Sequence, residues 1–214
     1  MWRVLLVEDQ TIVRQGLKVI LEQDPNIKVT HEAENGNQAI SILEQHIIDF
    51  VLMDIRMPEM NGIEATRLIK RNWPKVKILI LTTFNDDEYA LQALKEGANG
   101  FLLKTSEPKK LIEAVHSCMN GGLTLHDEVA AKVMPRLLQY SEHPAISVEL
   151  SQRELAITKC VGQGKTNKEI AEELHLSIGT VKNHITTILH KTDLRDRTQL
   201  AIFALKHHIG EQPL

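Results

Sequence analysis

Four short apolar runs in the first half of the chain constrain its fold more than any other feature. They occupy residues 4–7, 50–53, 78–81 and 101–103 and contain no polar residue. Uniformly apolar strands are typical of parallel sheets that are covered on both faces. A weaker strand is expected at residues 28–33, nearer a sheet edge, and amphipathic helical patterns separate the runs. The pattern predicts a doubly wound α/β domain with five parallel strands and five helices.

Polar residues follow most of the predicted strands. In an open α/β sheet, ligands bind beyond the carboxyl ends of the strands, so these side chains are expected to meet at one rim. They are Glu8 and Asp9 after the first strand, Asp54 after the third, Thr82 and Thr83 after the fourth, and Lys104 after the fifth. Crowded carboxylates repel one another without a cation, and an all-oxygen cluster with few protein ligands suits Mg²⁺.

A metal at this rim would leave an aspartate able to attack phosphorus, and would neutralise charge on the transferring phosphoryl group. The Lys104 ammonium and the Thr82 hydroxyl would hold the other phosphoryl oxygens. The alternative is that Asp9, Asp54 and Lys104 are ordinary charges at strand ends. Any one of these residues alone favours that alternative, whereas their position together at one rim favours a site.

From residue 151 onward the chain shows helical patterns and no strand pattern. Three helix starts carry a predicted capping box, which pairs Ser151 with Glu154, Thr166 with Glu169, and Asp196 with Gln199. The Ser177 hydroxyl is predicted to cap a fourth helix. Four short helices favour a compact bundle that could carry a helix-turn-helix. We therefore predict one domain over residues 1–121, a linker over 122–148 with a short helix around 127–139, and a second domain over 149–214.

The helix predicted over residues 178–191 is the candidate for nucleic-acid recognition. Its apolar stripe, which must face the bundle, consists of Val181, Ile185, Ile188 and Leu189. The opposite face carries Gly179, Asn183, Thr186, Thr187 and His190, with Lys182 on its flank. Asn, Lys and Thr side chains can read base edges in a major groove. An ordinary solvated helix remains open as the alternative, although no acidic residue occurs between Glu173 and Asp193.

Charge and cysteine content narrow the class of protein. The formal net charge is -3, and residues 145–214 contain nine basic and eight acidic residues. A DNA-binding function must therefore rest on motif geometry, because the second domain is not strongly basic. Cys118 and Cys160 show no metal or redox spacing. No signal peptide is evident, and no apolar run approaches the ~18 residues of a membrane span. A cytoplasmic protein without membrane attachment is expected.

The motifs LLVEDQ, LMDIRMPEMNG, ILTTF and GFLLKT resemble the receiver domain of two-component response regulators, over about residues 2–121. The resemblance implies that Asp54 accepts a phosphoryl group from the phosphohistidine of a sensor histidine kinase. It assigns a Mg²⁺ site to Glu8, Asp9, Asp54 and the backbone carbonyl of Arg56. It assigns the switch positions to Thr82 and Phe101, and the phosphate contact to Lys104.

Two positions depart from the usual receiver pattern. Such receivers usually place Pro after the phosphate-binding lysine, often through a cis peptide, whereas this chain has Thr105. The more usual aromatic switch residue is Tyr, and Phe101 lacks its hydroxyl. Plain core packing is therefore an alternative for Phe101.

Residues 150–205, which include the motifs NKEIA and TVKNH, are similar to the LuxR-type helix-turn-helix. Together the two halves resemble the NarL/FixJ class of response regulators. The resemblance implies that 167–174 is a positioning helix and that Lys182, Asn183 and Thr186 contact bases of double-stranded DNA. Thr166, Asn167, Lys168, Thr180 and His184 would contact phosphates. The last helix, residues 198–206, usually dimerises such domains on half-sites about 10 base pairs apart.

The sequence thus predicts a transcription regulator that phosphorylation controls through homodimerisation, and not an enzyme beyond its own phosphoryl transfer and dephosphorylation. A phosphorylation-independent regulator that uses its receiver only for dimerisation is the alternative. An aspartate-nucleophile phosphatase is a third class, but it typically needs a second acid where this chain has Arg56. Gly164-Lys165-Thr166 is not a P-loop, because Lys159 stands where the earlier glycine is required.

Overall fold

A parallel sheet organises the first 125 residues in the computed structural model, which describes residues 1–83, 87–125, 150–207 and 209. The strands are β1 (Trp2–Val7), β2 (Ile27–Ala33), β3 (Phe50–Met53), β4 (Lys77–Thr82), β5 (Gly100–Leu103) and β6 (Thr124–Leu125). They lie in the order β2-β1-β3-β4-β5-β6 and pair in parallel. The five predicted strands are confirmed, and β2 lies at the edge as expected. The short β6 adds a sixth strand inside the span predicted as linker.

Five helices cover the two faces of this sheet. They are α1 (Thr11–Leu21), α2 (Gly36–Gln45), α3 (Gly62–Asn72), α4 (Asp87–Lys95) and α5 (Pro108–Met119). The Asn61 side chain begins α3 by accepting hydrogen bonds from the backbone N–H groups of Ile63 and Glu64. Pro108 lies in the first turn of α5, where a missing N–H leaves no helical bond unmade.

Successive residues of β1 pack alternately into two apolar cores on opposite faces of the sheet. Val4 and Leu6 pack with residues of α1 and α5, whereas Leu5 and Val7 pack with residues of α2, α3 and α4. All four side chains are at most 1% exposed. Strand β1 is therefore buried on both faces over residues 4–7, which explains why its sequence there is apolar without alternation.

In residues 150–207, four helices form: α6 (Gln152–Gly162), α7 (Asn167–Glu173), α8 (Ile178–Lys191) and α9 (Arg197–Lys206). The capping boxes at Ser151 and Thr166 both form, and the Ser177 hydroxyl caps α8. Of the two hydrogen bonds in the third predicted capping box, one forms and the other prediction is wrong. Asp196 accepts a hydrogen bond from the Gln199 N–H, but the Gln199 side chain reaches past the cap and accepts from the Arg195 N–H at 3.1 Å.

A third apolar core, drawn from all four of these helices, includes Ile157, Ile170, Val181, Ile188 and Leu200. The predicted helical bundle is confirmed by this core. The short helix expected around residues 127–139 lies outside the described residues. Among the helices that the structure describes, none is both long and apolar enough to span a membrane.

Candidate functional site

Three predicted carboxylates meet where β1 and β3 end side by side. Val7 pairs with Met53, so the next residues, Glu8 and Asp54, leave the sheet at the same edge. The Asp54 N–H donates a hydrogen bond to the Val7 carbonyl at 2.9 Å, which fixes the first turn of the loop. One carboxylate oxygen each of Glu8, Asp9 and Asp54 lies within 4.8 Å of the others. Glu8 and Asp54 are 1% and 6% exposed.

Lys104 bridges two of these acids. Its Nζ lies 2.6 Å from Glu8 Oε2 and 3.0 Å from Asp54 Oδ2. The lysine follows β5, and its backbone N–H donates to the Thr82 carbonyl at 2.7 Å. Sequence reasoning placed Lys104 at this rim but missed its pairing with Glu8, because a choice between neighbouring carboxylates depends on side-chain rotamers.

Burial dominates the protonation equilibria of the cluster. It raises the pKa of Asp54, and the hydrogen bond from Lys104 opposes that rise only in part. Burial likewise raises the pKa of Glu8, again against the hydrogen bond from Lys104. Burial alone would lower the pKa of Lys104, but its bonds to Glu8 and Asp54 outweigh that effect and the pKa rises. The cluster therefore concentrates negative charge that one ammonium balances incompletely.

The donor set fits a divalent cation that prefers oxygen ligands. Asp9 Oδ1 is buried without a hydrogen-bond partner among the described residues, and such an orphaned acceptor indicates a missing ligand or ion. Its neighbours are the carboxylates of Glu8 and Asp54. Mg²⁺ is commonly held by one or two carboxylates together with water and substrate oxygens. Glu8, Asp9 and Asp54 could all contribute to such a site.

The predicted switch residues lie on the neighbouring strands. Thr82 ends β4 and is 3% exposed, whereas Phe101 lies within β5 and is 0% exposed. Phe101 packs in the core beneath α2, α3 and α4, so its ring is a core residue in this conformation.

Two further positions border the acidic rim. The Arg56 guanidinium lies 5.6 Å from the centroid of the Tyr89 ring, which links the loop after β3 to α4. Thr105 is exposed, and all described peptide bonds are trans, including the one that follows Lys104.

The candidate DNA-reading surface lies on α8. Val181, Ile185 and Ile188 are buried in the bundle core, as their spacing predicted. Lys182, Asn183 and Thr186 are exposed on the other side, and Thr180 and His184 are half-buried. The polar face of α8 is therefore presented outward from the bundle.

The other predicted phosphate contacts have different surroundings. Lys168 is exposed, with Glu172 3.9 Å away along the same helix. Thr166 is occupied as the cap of α7. Asn167 is 9% exposed, and its N–H donates to the Asn120 carbonyl at 3.0 Å. The structure thus places Asn167 against the α/β domain and away from solvent.

Arg197 is a residue that sequence reasoning missed. Its guanidinium donates to Asn167 Oδ1 at 3.0 Å and to the Lys165 carbonyl. Only 8% of Arg197 is exposed, and burial lowers its pKa to about 10. The signal in the sequence was weak, because an arginine in the first turn of a helix opposes the helix dipole and is expected to be solvated.

Comparisons with known proteins match both halves of the chain. Residues 4–116 match the family described as response regulator receiver domain, and residues 148–204 match the bacterial regulatory proteins of the luxR family. The transcriptional regulatory protein LiaR of Bacillus subtilis (strain 168) is 42% identical over 209 residues, which cover 98% of this chain and 99% of that protein. This match spans both domains in the same order.

The chain belongs to the DNA-binding two-component response regulators.

Further relatives agree with this assignment. The response regulator protein VraR of Staphylococcus aureus is 35% identical over 207 residues, 97% of this response regulator and 98% of VraR. The crystal structure of the response regulator ChrA of a heme-sensing two-component system has a TM-score of 0.53 and 35% identity, and it covers 97% of this chain and 98% of that chain. The named relatives are transcriptional regulators, and this response regulator shares their receiver and LuxR-type domains.

Proposed function

We propose that this response regulator accepts a phosphoryl group on Asp54 from the phosphohistidine of a sensor histidine kinase. Phosphorylation then controls homodimerisation and the transcription of target genes. The protein acts in the cytoplasm. The main support for this proposal is the environment of the Asp54 carboxylate. This carboxylate is buried beside Glu8 and Asp9, 3.0 Å from the Lys104 ammonium, at the edge of the sheet where ligands bind.

Asp54 is held in position for nucleophilic attack. Its Oδ1 accepts a hydrogen bond from the Ile55 N–H at 2.8 Å, and its Oδ2 faces Lys104. In the transfer, a carboxylate oxygen forms a bond to phosphorus while the phosphorus–nitrogen bond breaks and the imidazole leaves. Lys104 then turns from the carboxylates to the new phosphoryl oxygens, and the buried Thr82 hydroxyl supplies a further hydrogen bond.

Magnesium is the cation that fits this donor set. Glu8, Asp9, Asp54 and the backbone carbonyl of Arg56 would hold it. When bound, it would neutralise negative charge on the transferring phosphoryl group. Lys104 keeps part of the carboxylate charge balanced in the absence of the ion.

The DNA-binding half of the proposal rests on α8. Its outward face presents Lys182, Asn183 and Thr186, which we assign to base edges. Thr166, Asn167, Lys168, Thr180 and His184 are assigned to phosphates. Two copies of the chain would bind paired half-sites more tightly than one, because the second contact is intramolecular.

Intact mass after incubation with Mg²⁺ and acetyl phosphate tests the phosphoacceptor. The wild type should gain one phosphoryl group, and the isosteric variant Asp54→Asn should gain none. If the wild type stays unmodified, the incubation is repeated with a phosphorylated sensor histidine kinase from the same organism as the phosphoryl donor. Continued absence of modification favours the phosphorylation-independent regulator, and a stable phosphoprotein from Asp54→Asn refutes the assignment of Asp54.

A further inference from the structure

The loop that carries Glu8 and Asp9 is held through its backbone. The Glu8 N–H donates to the Ala33 carbonyl, at the end of β2, at 3.0 Å. The Glu8 carbonyl accepts a hydrogen bond from Arg14 Nη1 at 2.6 Å. Because a peptide group is planar, a fixed Glu8 carbonyl also sets the direction in which the Asp9 side chain leaves the backbone.

Arg14 is a buried residue in the first turn of α1. Only 7% of it is exposed, although arginine is rarely buried unless it is paired. A cation in this turn opposes the helix dipole, so the stability of α1 does not explain the residue. Besides the bond from Nη1, its Nε lies 3.3 Å from Glu32 Oε2 and its Nη2 lies 2.9 Å from Glu34 Oε1. Every nitrogen of the planar guanidinium thus has an acceptor, which fixes its orientation towards the Glu8 carbonyl.

The positive charge of Arg14 is balanced outside the acidic rim. Glu32 on β2 and Glu34 just after it face the guanidinium, whereas two carboxylates of the rim face Lys104. The hydrogen bond from Lys18 lowers the pKa of Glu32, and the hydrogen bond from Arg14 lowers it further. Glu32 is therefore ionised at neutral pH. Arg14 donates to the backbone of the rim while it adds little repulsion against a cation bound there.

The position of the Asp9 carboxylate depends on this backbone. Asp9 Oδ1 is buried and has no hydrogen-bond partner among the described residues. A ligand oxygen without a partner of its own is placed by the backbone that carries it. A fixed Glu8 carbonyl therefore reduces the conformational entropy that Asp9 would lose when a cation binds, and such preorganisation raises affinity.

We propose that Arg14 is a positioning residue of the cation site. Its hydrogen bond to the Glu8 carbonyl holds the carboxylates of Glu8 and Asp9 beside Asp54 before a cation binds. The inference rests on the proposed function, which assigns Mg²⁺ to these carboxylates. Loss of Arg14 should weaken Mg²⁺ binding, whereas loss of Lys104 should strengthen it, because Lys104 places its positive charge within the cluster.

Titration calorimetry of the full chain with MgCl₂ tests the proposal. Arg14→Met keeps an unbranched apolar side chain and removes every donor of the guanidinium. The variant should bind Mg²⁺ at least tenfold more weakly than the wild type, since residues that orient metal ligands contribute about 10–100-fold to affinity. Arg14→Lys keeps a charged donor and should bind Mg²⁺ more tightly than Arg14→Met. Equal dissociation constants for Arg14→Met and wild type overturn the proposal.

Arg3→Met is the matched control for the loss of a paired arginine. Arg3 donates to both carboxylate oxygens of Asp49, at 2.9 and 2.7 Å, and it lies at the opposite end of β1 from Glu8. Thermal unfolding is followed for both variants, and Arg3→Met should leave the dissociation constant for Mg²⁺ unchanged. An equal loss of Mg²⁺ affinity in Arg3→Met and Arg14→Met would reveal a general effect of stability and overturn the positioning role.

The rate of phosphorylation by acetyl phosphate gives a second readout. The initial rate, followed by intact mass as MgCl₂ is raised, should reach the wild-type plateau in Arg14→Met, with a midpoint at least tenfold higher. A variant whose only defect is partial unfolding would show the wild-type midpoint and a lower plateau. That result would overturn the proposal.

The two proposals fail in different ways. If the wild type binds Mg²⁺ and is phosphorylated while Arg14→Met keeps the wild-type dissociation constant, only the role of Arg14 is overturned. If the wild type binds Mg²⁺ but accepts no phosphoryl group, the proposed function fails and calorimetry still decides the role of Arg14. If the wild type binds no Mg²⁺, the cation site fails and the role of Arg14 fails with it.

Discussion

At the scale of single residues, Lys104 would compete with a divalent cation for the same negative charge. The ammonium lies between Glu8 and Asp54, and both carboxyls have a raised pKa because they are buried. A cation that binds at Asp9 and Asp54 would therefore meet the repulsion of a positive charge already in the cluster.

Lys104→Met should consequently tighten Mg²⁺ binding while it impairs the response to phosphorylation. Two positive unit charges about 5 Å apart repel each other by roughly 3 kcal/mol at an effective dielectric constant of about 20. Removing the ammonium should therefore lower the dissociation constant for Mg²⁺ at least tenfold. Titration calorimetry with MgCl₂ measures it. Lys109→Met is the matched control, since Lys109 is exposed on α5 and 3.8 Å from Glu113. Unchanged or weaker Mg²⁺ binding by Lys104→Met would show that the lysine does not compete.

Asn183 and Lys182 are exposed neighbours on α8 with different expected roles. The probe is a duplex selected from random-sequence DNA by acetyl-phosphate-treated wild type. Asn183→Ala should lose discrimination between this selected duplex and a mismatched one by about tenfold, because a bidentate base contact contributes roughly 1–3 kcal/mol. Lys182→Ala should weaken binding and lower its salt dependence. Fluorescence anisotropy at several salt concentrations measures both effects. Lys159→Ala, an exposed lysine of α6, is the control, and an unchanged footprint for Asn183→Ala would remove it from the base-reading set.

The acidic cluster could be predicted from the sequence because parallel strands end at a common edge, which places Glu8, Asp9, Asp54 and Lys104 within reach of one another. The ion pairing of these residues could not be predicted from the sequence, because it depends on side-chain rotamers that a sequence pattern does not encode. Asn167 shows the same limit: its place after a capping residue was predictable, whereas its burial against the receiver depends on another domain.

At the scale of helices and strands, the start of α6 depends on one carboxylate. Glu154 accepts from the Ser151 N–H at 2.7 Å and lies 2.8 Å from Lys191 Nζ on α8. The bond from Lys191, followed by the bond from Ser151, lowers the pKa of Glu154 to about 2. The side chain thus caps α6 and ties it to α8.

This lowered pKa sets the pH range of its stabilising effect. An acid whose pKa falls on folding stabilises the fold above its ordinary pKa, here 4.5, and loses that effect as pH falls towards about 2. Glu154→Gln should therefore reduce the stability of α6 by about 1 kcal/mol at neutral pH, and the difference from wild type should shrink below pH 4.5.

Amide hydrogen exchange of α6 at neutral and acidic pH measures this difference, with each variant compared to wild type at the same pH. Glu113→Gln, a substitution on the exposed face of α5, should not alter exchange in α6. A difference between Glu154→Gln and wild type that is constant across the pH range would contradict the assigned role of the carboxylate.

Most elements follow from the sequence because their signals are local. The apolar runs mark β1, β3, β4 and β5, and the caps at Ser151, Thr166 and Ser177 mark the starts of α6, α7 and α8. The two-residue β6 carries no periodic signal, and it forms because the adjacent edge of β5 offers backbone partners. The burial of α9 on more than one side was not predictable either, since one of its partners is a separate domain.

At the scale of the whole molecule, the receiver and the DNA-binding domain contact each other through residues for which the sequence predicts other partners. The receiver contacts Asn167 and α9, whereas the proposed function assigns Asn167 to a DNA phosphate and the LuxR-type resemblance assigns the last helix to dimerisation. The sequence predicts each domain separately, because each has its own core. It does not predict their contact, which includes a few hydrogen bonds and the packing of Ile202 and Leu123.

Phosphorylation-controlled dimerisation and DNA binding are tested most directly by two measurements before and after treatment with Mg²⁺ and acetyl phosphate. These are the affinity for the selected duplex and the mass of the protein in solution. We expect untreated wild type to be monomeric and to bind weakly, and treated wild type to dimerise and to bind at least tenfold more tightly. Asp54→Asn should stay monomeric and weakly binding under both conditions. Equal affinity and equal mass for treated and untreated wild type, with Asp54 shown to be phosphorylated, would contradict control of dimerisation and DNA binding by phosphorylation.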